Sequence, residues 1–192
     1  MRVQDSVCRH AVQFYGSDEH LHTTVGAFIA EGLILRQPAL IIATSDHRLG
    51  ILEDLYRRHI DADEARRLGD LICLDADDTL GAFMASDGPN PEVFLEHVGG
   101  LMMQTTVGKP PPQTVRAYGE MVDVLWQQDK PEQAIALEIL WNEIAHTHRF
   151  NLLCGYAIGH FYKHAEYADR VRAEHTHVVS DPSVVPFAPR PA

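Results

Sequence analysis

The chain has 192 residues, of which 45% are hydrophobic, enough for one domain with a substantial core. Its 16 Lys and Arg against 27 Asp and Glu leave a formal charge of −11, which repels phosphate backbones and argues against direct nucleic-acid binding. The cysteines are odd in number and far apart, which predicts reduced thiols and a cytoplasmic location. The N-terminus lacks an apolar signal segment, and no apolar run approaches the roughly 20 residues that span a bilayer.

Short apolar runs alternate along the chain with segments of helical period. The runs at residues 10–15, 39–44, 71–75, 115–119 and 151–156 are short enough to predict buried β-strands. Polar or proline residues suited to helix starts follow. Ser17 or Asp18 and Ser45 or Asp46 are predicted helix N-caps, and further helices are predicted after Asp75 and near Pro91, Glu120 and Pro131. The helix after Asp75 is expected to run through Phe83 and Met84.

This alternation predicts an α/β fold with a mainly parallel central sheet of about five or more strands and helices on both faces. Residues 1–172 are expected to form a single domain. The segment 173–192 is rich in proline and small residues towards its end, and it is expected to be partly extended or loose.

Aromatic and acidic residues gather at the predicted strand ends and on the helices that follow. In parallel sheets, ligands bind beyond the carboxyl ends of the strands. Glu138, Trp141 and Asn142 share a helix face at i, i+3 and i+4, and a few polar groups between aromatic walls are typical of small-molecule sites. The predicted ligand-binding residues are Tyr15, Thr44, Asp75, Tyr118, Glu120, Trp126, Glu138, Trp141, Asn142, Cys154 and Tyr156.

A purely structural interpretation of these residues stays open. The acids could accept hydrogen bonds from helix-end amides, from Arg116 or from His148, with the tryptophans as core, and Glu120 could cap the helix that follows it. Cys154 is interpreted as a small apolar strand residue, because no signature or neighbouring base marks it as a nucleophile. No catalytic residue is predicted.

The segment after the first predicted strand decides against nucleotide hydrolysis. It reads "YGSDEHLH", which contains no phosphate-binding glycine motif, and Asp18 and Glu19 place negative charge where a phosphate would lie. The run "LICLD" resembles an apolar strand followed by a metal-binding acid, but this pattern is common in parallel sheets. A degenerate nucleotide-binding protein with Asp75 and Glu120 around a metal remains the enzyme alternative.

Twelve histidines include three pairs at i and i+2. The pairs at His20 and at His146 fall on helices or helix ends, where alternate residues diverge. His175 and His177 could converge if the chain is extended, with His10 or Cys154 as a further ligand, but nothing in the sequence fixes that geometry. We therefore predict no metal and no cofactor, with His175 and His177 as weak candidates and solvated or capping histidines as the favoured interpretation.

Six segments together resemble one known family. The chain is similar to the MEDS family, the methanogen/methylotroph sensory domain, over about residues 8–170 in "HAVQFYGSDEHL", "ALIIATSDHRLGILEDL", "LICLDADDTLGAFM", "VRAYGEMVDVLW", "ALEILWNEI" and "FNLLCGY". The resemblance implies a RecA/KaiC-like fold without a functional phosphate loop, and a sensory role in which a small, for example hydrocarbon-derived, molecule is bound. Family members are often fused to DNA-binding or kinase modules, which this chain is expected to lack.

The leading hypothesis is thus a non-enzymatic sensory domain that binds a small organic molecule and signals to a separate transcriptional or kinase partner. Neither nucleic acid nor a membrane is an expected partner, and a homodimer is possible. The alternatives are the degenerate nucleotide-binding protein and a purely protein-binding regulator of signalling whose cavity is filled by side chains.

Overall fold

The computed structural model describes residues 9–110, 113–162 and 165–179. In chain order its elements are β1 (Arg9–Tyr15), α1 (Asp18–Ile34), β2 (Ala39–Ala43), α2 (Ser45–Arg57), α3 (Ala62–Arg67), β3 (Leu71–Asp75), α4 (Ala76–Gly81), β4 (Met84–Ala85), β5 (Gly88–Pro89), α5 (Pro91–Thr106), β6 (Val115–Gly119), α6 (Met121–Gln127), α7 (Pro131–Ile144), β7 (Phe150–Ala157), a short 3-10 helix (Ile158–Tyr162), α8 (Ala165–Ala173) and β8 (His177–Val179).

The central sheet has six strands in the order β3-β2-β6-β7-β1-β8, and every neighbouring pair is parallel. The predicted α/β class is therefore confirmed, as are the five strands predicted from apolar runs, each within about two residues at its ends. Crossover helices must join parallel strands, which is why strand and helix alternate along most of the chain.

Helices cover both faces of the sheet because its strands are apolar on both sides. In β2, Leu40 and Ile42 point into one core with α4 to α8, whereas Ala39, Ile41 and Ala43 point into the other with α1, α2 and α3. All five residues are fully buried, which explains why the strand is a continuous apolar run and does not alternate with polar residues.

Two local predictions need correction. The helix after Asp75 ends at Gly81, and Met84–Ala85 instead pairs with Gly88–Pro89 in a two-stranded hairpin. Ser17 does cap α1, but the N-cap residue of α2 is Thr44 and neither Ser45 nor Asp46. The apolar residues Phe83 and Met84 continue the helical period of α4, so the period alone does not show where the helix ends. Gly88 and Pro89 of the hairpin are residues that interrupt helices.

The C-terminal segment is in part a strand. His177–Val179 pairs in parallel with Ala11–Gln13 and extends the sheet at its β1 edge. Residues 180–192 of the segment predicted as loose lie outside the described residues, and Ala173 is the last residue of α8. Among the helices that the structure describes, none combines the length and the apolar character needed to cross a membrane.

Candidate functional site

Glu120 directly follows β6 and lies at the carboxyl edge of the sheet. Because β6 pairs with β2, the Glu120 amide donates to Ile42 O at 3.1 Å, and the side chain lies beside the start of α2. Its Oε1 accepts from the Thr44 amide at 2.5 Å, whereas Oε2 accepts from Tyr118 Oη at 2.8 Å and lies 2.8 Å from His47 Nδ1. Glu120 is only 1% exposed.

The predicted cap role of Glu120 takes a different form in the structure. Glu120 occupies the N-cap position of α6, but its side chain makes no capping bond to that helix. Instead it binds the amide of Thr44, the N-cap residue of α2, across the strand boundary. An acid at a helix start complements the positive end of the helix dipole, so the Glu120 carboxylate also stabilises the start of the neighbouring helix α2.

Asp123 is a second buried carboxylate at the same edge, and it is 2% exposed. Its Oδ1 accepts from the Ala157 amide at 2.8 Å and lies 3.1 Å from His160 Nε2. Its Oδ2 accepts from Tyr15 Oη at 3.1 Å and from Gln127 Nε2 at 3.0 Å. Asp123 therefore joins the carboxyl ends of β1 and β7 to α6.

Tyr15 connects the two carboxylates into one polar group. Its ring lies 5.7 Å from the His47 ring, edge to face, while its hydroxyl binds Asp123. The His22 ring lies 5.4 Å from that of His47, also edge to face. The edge cluster, as we name it, consists of Tyr15, His22, His47, Tyr118, Glu120, Asp123 and His160.

The acids control the protonation of their neighbours. Burial lowers the pKa of His47, but the hydrogen bonds and charges of Glu120 and Asp18 outweigh burial and raise it to about 9. The pKa of His22 is lowered, first by burial and then by the charge on His47. Burial, followed by the charge on Glu120, raises the pKa of the Tyr118 hydroxyl. At neutral pH the edge cluster therefore contains a His47 imidazolium beside neutral Tyr118 and His22.

Folding stability should depend on pH through His47. Its pKa rises from 6.5 to about 9 on folding, so the stabilising contribution is complete below about pH 6.5 and is lost as the pH rises through 9. We expect the difference in unfolding free energy between wild type and His47→Gln to fall by about 1–2 kcal/mol between pH 6 and pH 9.5, less than full linkage because the site is partly solvated. Urea unfolding of both proteins across this range measures it, and parallel pH curves would contradict it.

A second group of polar side chains is buried between the sheet and α7. Glu138 is fully buried, and its Oε2 lies 3.1 Å from His10 Nε2 and 3.4 Å from Cys154 Sγ. Its Oε1 accepts from Tyr156 Oη at 2.7 Å and lies 3.5 Å from His175 Nε2. We name His10, Glu138, Cys154 and His175 the inner cluster.

The inner cluster contains an ion pair. Burial raises the pKa of Glu138, but His175 and the hydrogen bonds from His10 and Tyr156 outweigh it and lower the pKa to about 2. Burial lowers the pKa of His10, yet the hydrogen bond and charge of Glu138 raise it above its ordinary value. The pKa of His175 is lowered, chiefly by burial. His10 therefore carries the proton opposite the Glu138 carboxylate.

The structure divides the predicted ligand-binding residues between several places. Tyr15, Thr44, Tyr118 and Glu120 meet at the sheet edge, whereas Glu138, Asn142, Cys154 and Tyr156 meet around the inner cluster. Trp141 packs in the core against Phe94 and Phe150. Asp75 caps α4 and pairs with Arg48 at 3.2 Å. Trp126 stacks near His160, beside the edge cluster.

His47, Asp123, His22 and His160 were not predicted as site residues. His47 follows the end of β2 by four positions, so one turn of α2 brings it back over the edge. Asp123 stands at the same distance from the end of β6, again on the first turn of a helix. Polar residues one helical turn beyond a predicted strand end are therefore the signal that could have identified both.

Two open grooves lie away from both clusters. One, of about 1000 Å³, runs between α2 and α3, and the other, of about 420 Å³, lies beside α1 and β8. Neither groove is lined by a predicted ligand-binding residue.

The six-stranded parallel sheet with helices on both faces defines the class of protein as an α/β domain, and it has polar groups buried at its carboxyl edge. The family model of MEDS, the methanogen/methylotroph, DcmR sensory domain, matches residues 9–176. The chain therefore belongs to the MEDS family of sensory domains, and the resemblance of the six segments is confirmed. No curated protein gives a match to the sequence.

Proposed function

We propose that this domain is a non-enzymatic sensor that binds a small organic molecule at the edge cluster. The position supports this, because the cluster lies where parallel α/β sheets receive their ligands. Its chemistry also supports it, since Glu120 and Asp123 are almost completely buried and are surrounded by aromatic rings. Small-molecule sites combine apolar walls with a few fixed polar groups in this way.

The observation that carries the proposal is a pair of buried nitrogen atoms. Trp126 Nε1 and His22 Nε2 are buried and find no hydrogen-bond partner among the described residues. His22 belongs to the edge cluster, where it lies beside His47, and Trp126 lies next to the cluster, beside His160. Buried polar atoms are normally paired, so a ligand with a hydrogen-bonding oxygen and an apolar body would supply what the indole lacks. Hydrocarbon-derived alcohols and aldehydes, including halogenated ones, are the proposed ligand class.

Ligand binding would be transmitted through α2 and α6. Glu120 joins the starts of these two helices, and a ligand that contacts His47 or Trp126 would favour one arrangement of the helices over another by its differential affinity. We propose that the output passes to a separate signalling or transcription-regulatory protein in the cytoplasm, with neither nucleic acid nor a membrane bound directly, and that the domain can form a homodimer.

We further propose that the fold is a RecA/KaiC-like one without its phosphate loop. At the start of α1, the Ser17 side chain accepts from the His20 amide, and Asp18 and Glu19 make the first turn negative. Both features oppose a bound phosphate. Calorimetric titration with ATP and magnesium is expected to show no binding, and a saturable isotherm would favour the nucleotide-binding alternative.

A thermal-shift screen tests the sensor proposal. Small alcohols, aldehydes and halogenated hydrocarbons are added to the full chain, and at least one should raise the melting temperature, because a ligand of the native state stabilises it. Glu120→Gln and Trp126→Phe should each raise the Kd for that compound by about tenfold or more, which corresponds to the loss of one hydrogen bond. Glu96→Gln, an exposed change of the same kind on α5, should leave it unchanged. A null result across the panel would count against the sensor.

A further inference from the structure

The inner cluster brings together four metal-ligating atoms from four separate parts of the chain. They are His10 Nε2 on β1, Glu138 carboxylate oxygen on α7, Cys154 Sγ on β7 and His175 Nε2 in the turn before β8, and all lie within 4.8 Å of one another. They are shielded from solvent, since the side chains of Glu138 and His175 are 0% exposed and that of His10 is 5% exposed.

The separations of these atoms suit a tetrahedral ion. With bonds of about 2.0–2.3 Å, the ligands of tetrahedral zinc lie roughly 3.3–3.8 Å apart. His10 Nε2 lies 3.1 Å from Glu138 Oε2 and 3.4 Å from Cys154 Sγ. Cys154 Sγ is 3.4 Å from Glu138 Oε2, and His175 Nε2 is 3.5 Å from Glu138 Oε1. Small side-chain adjustments would therefore place all four around one centre.

The outer nitrogen of each histidine is already occupied as it is in metal sites. His10 Nδ1 donates to Asn142 Oδ1 at 2.9 Å, and His175 Nδ1 donates to Val171 O at 2.6 Å. An amide or carbonyl acceptor on Nδ1 fixes the ring and directs the lone pair of Nε2 inward, which is the usual support of a metal-bound imidazole. Asn142 is itself held in place, because its Nδ2 donates to Glu174 O at 3.0 Å.

The inner nitrogen of His175 is an independent sign of a missing ligand. Nε2 is buried and makes no hydrogen bond within the described part of the chain, although it is directed at the cluster. No hydrogen bond uses the lone pair of His175 Nε2. A cation at the centre of the cluster would bind this lone pair together with those of the other three ligands.

We propose that the inner cluster binds one divalent transition-metal ion, for which zinc is the best match. Imidazole, thiolate and carboxylate together suit borderline-soft cations, and a site closed by four protein ligands without an open position is structural and not catalytic. The ion would join β1, β7 and α7 to the turn that leads into β8, and so would hold this edge strand in place. The site does not depend on the ligand proposed for the edge cluster.

Metal analysis of the untagged full chain tests the site. We expect one zinc per chain after purification in zinc-containing medium, and a Kd tighter than about 100 nM by competition with a chromophoric chelator. Replacement by Co²⁺ should give a thiolate-to-cobalt charge-transfer band in the near ultraviolet. Less than a tenth of an equivalent of zinc, with no binding detected by the chelator, would overturn the proposal.

Matched variants assign the ligands. His175→Ala should weaken zinc binding at least ~100-fold, since a ligand is expected to matter more than its supporting groups, whereas His177→Ala, two residues away and exposed, should not change it. Cys154→Ser should abolish the cobalt band, while Cys73→Ser should retain it. Asn142→Ala, a change to a positioning residue, should weaken binding about 10–100-fold. Circular dichroism shows whether each variant is folded. Among folded variants, equal effects of His175→Ala and His177→Ala on zinc binding, or a cobalt band that survives in Cys154→Ser, would contradict the assignment.

Discussion

Glu138→Ala is expected to lower the free energy of unfolding by about 3–5 kcal/mol, because breaking a buried ion pair leaves its partner charge uncompensated. The partner is His10, whose Nε2 lies 3.1 Å from the carboxylate, and Tyr156 loses the acceptor of its hydroxyl at 2.7 Å. Solvent cannot replace these interactions, since His10 is only 4% and Tyr156 0% exposed. Urea unfolding measured with a chelator present gives the effect without any contribution from bound metal.

The matched control is Glu143→Ala on the same helix, where the carboxylate is exposed. We expect a change within about 0.5 kcal/mol there. If both substitutions had similarly small effects, the buried ion pair would not be an important part of the core. Glu138→Gln keeps the volume and should lose less than Glu138→Ala, because the amide oxygen can still accept from Tyr156.

Glu120→Ala is expected to cost about 3 kcal/mol, the second largest effect. Three donors lose their acceptor at once: the Thr44 amide, the Tyr118 hydroxyl and the His47 imidazolium, and a hydrogen bond to a charged group contributes more than a neutral one. The loss should weaken the start of α2 as well as α6, so hydrogen exchange of amides in the first turn of α2 should become faster in the variant.

Tyr118→Phe separates one of these contributions. It removes a single hydroxyl donor and should cost about 1 kcal/mol. The exposed Glu96→Ala serves as the control and should be close to neutral. If Glu120→Ala cost no more than Tyr118→Phe, the bonds to Thr44 and His47 would contribute nothing to stability. A double-mutant cycle of Glu120→Ala with His47→Gln measures their direct coupling.

The strands of this domain could be predicted because the signal for them is local. A strand covered on both faces needs a short continuous apolar run, and "ALIIA" in β2 is such a run. The starts of α1 and α5 could be predicted from the Ser17 cap and from Pro91, signals that again involve only neighbouring residues. Strand β8 was not predicted, since three residues with partly polar side chains become a strand only by pairing with β1.

The candidate site could be predicted only in part. Glu120 and Tyr118 follow from strand-end position, and the structure places both at the sheet edge. His47 was missed because its contact with Glu120 joins residues 73 positions apart. The sequence favoured a solvated or capping role for His175, because the position of its side chain depends on the turn before β8. In the structure that turn places the His175 imidazole beside His10, with ring centres 4.1 Å apart.

By itself the sequence determined the five strands β1, β2, β3, β6 and β7, most of the helices that follow them, the α/β class and the family, because each of these depends on periodicity, caps and ordered segments that neighbouring residues define. Only the tertiary structure decided which polar residues meet. The order β3-β2-β6-β7-β1-β8 places β1 between β7 and β8, so His10, Cys154 and His175 converge although they come from opposite ends of the chain. The order depends on strand pairs that join distant parts of the chain, and no local pattern in the sequence records those pairings.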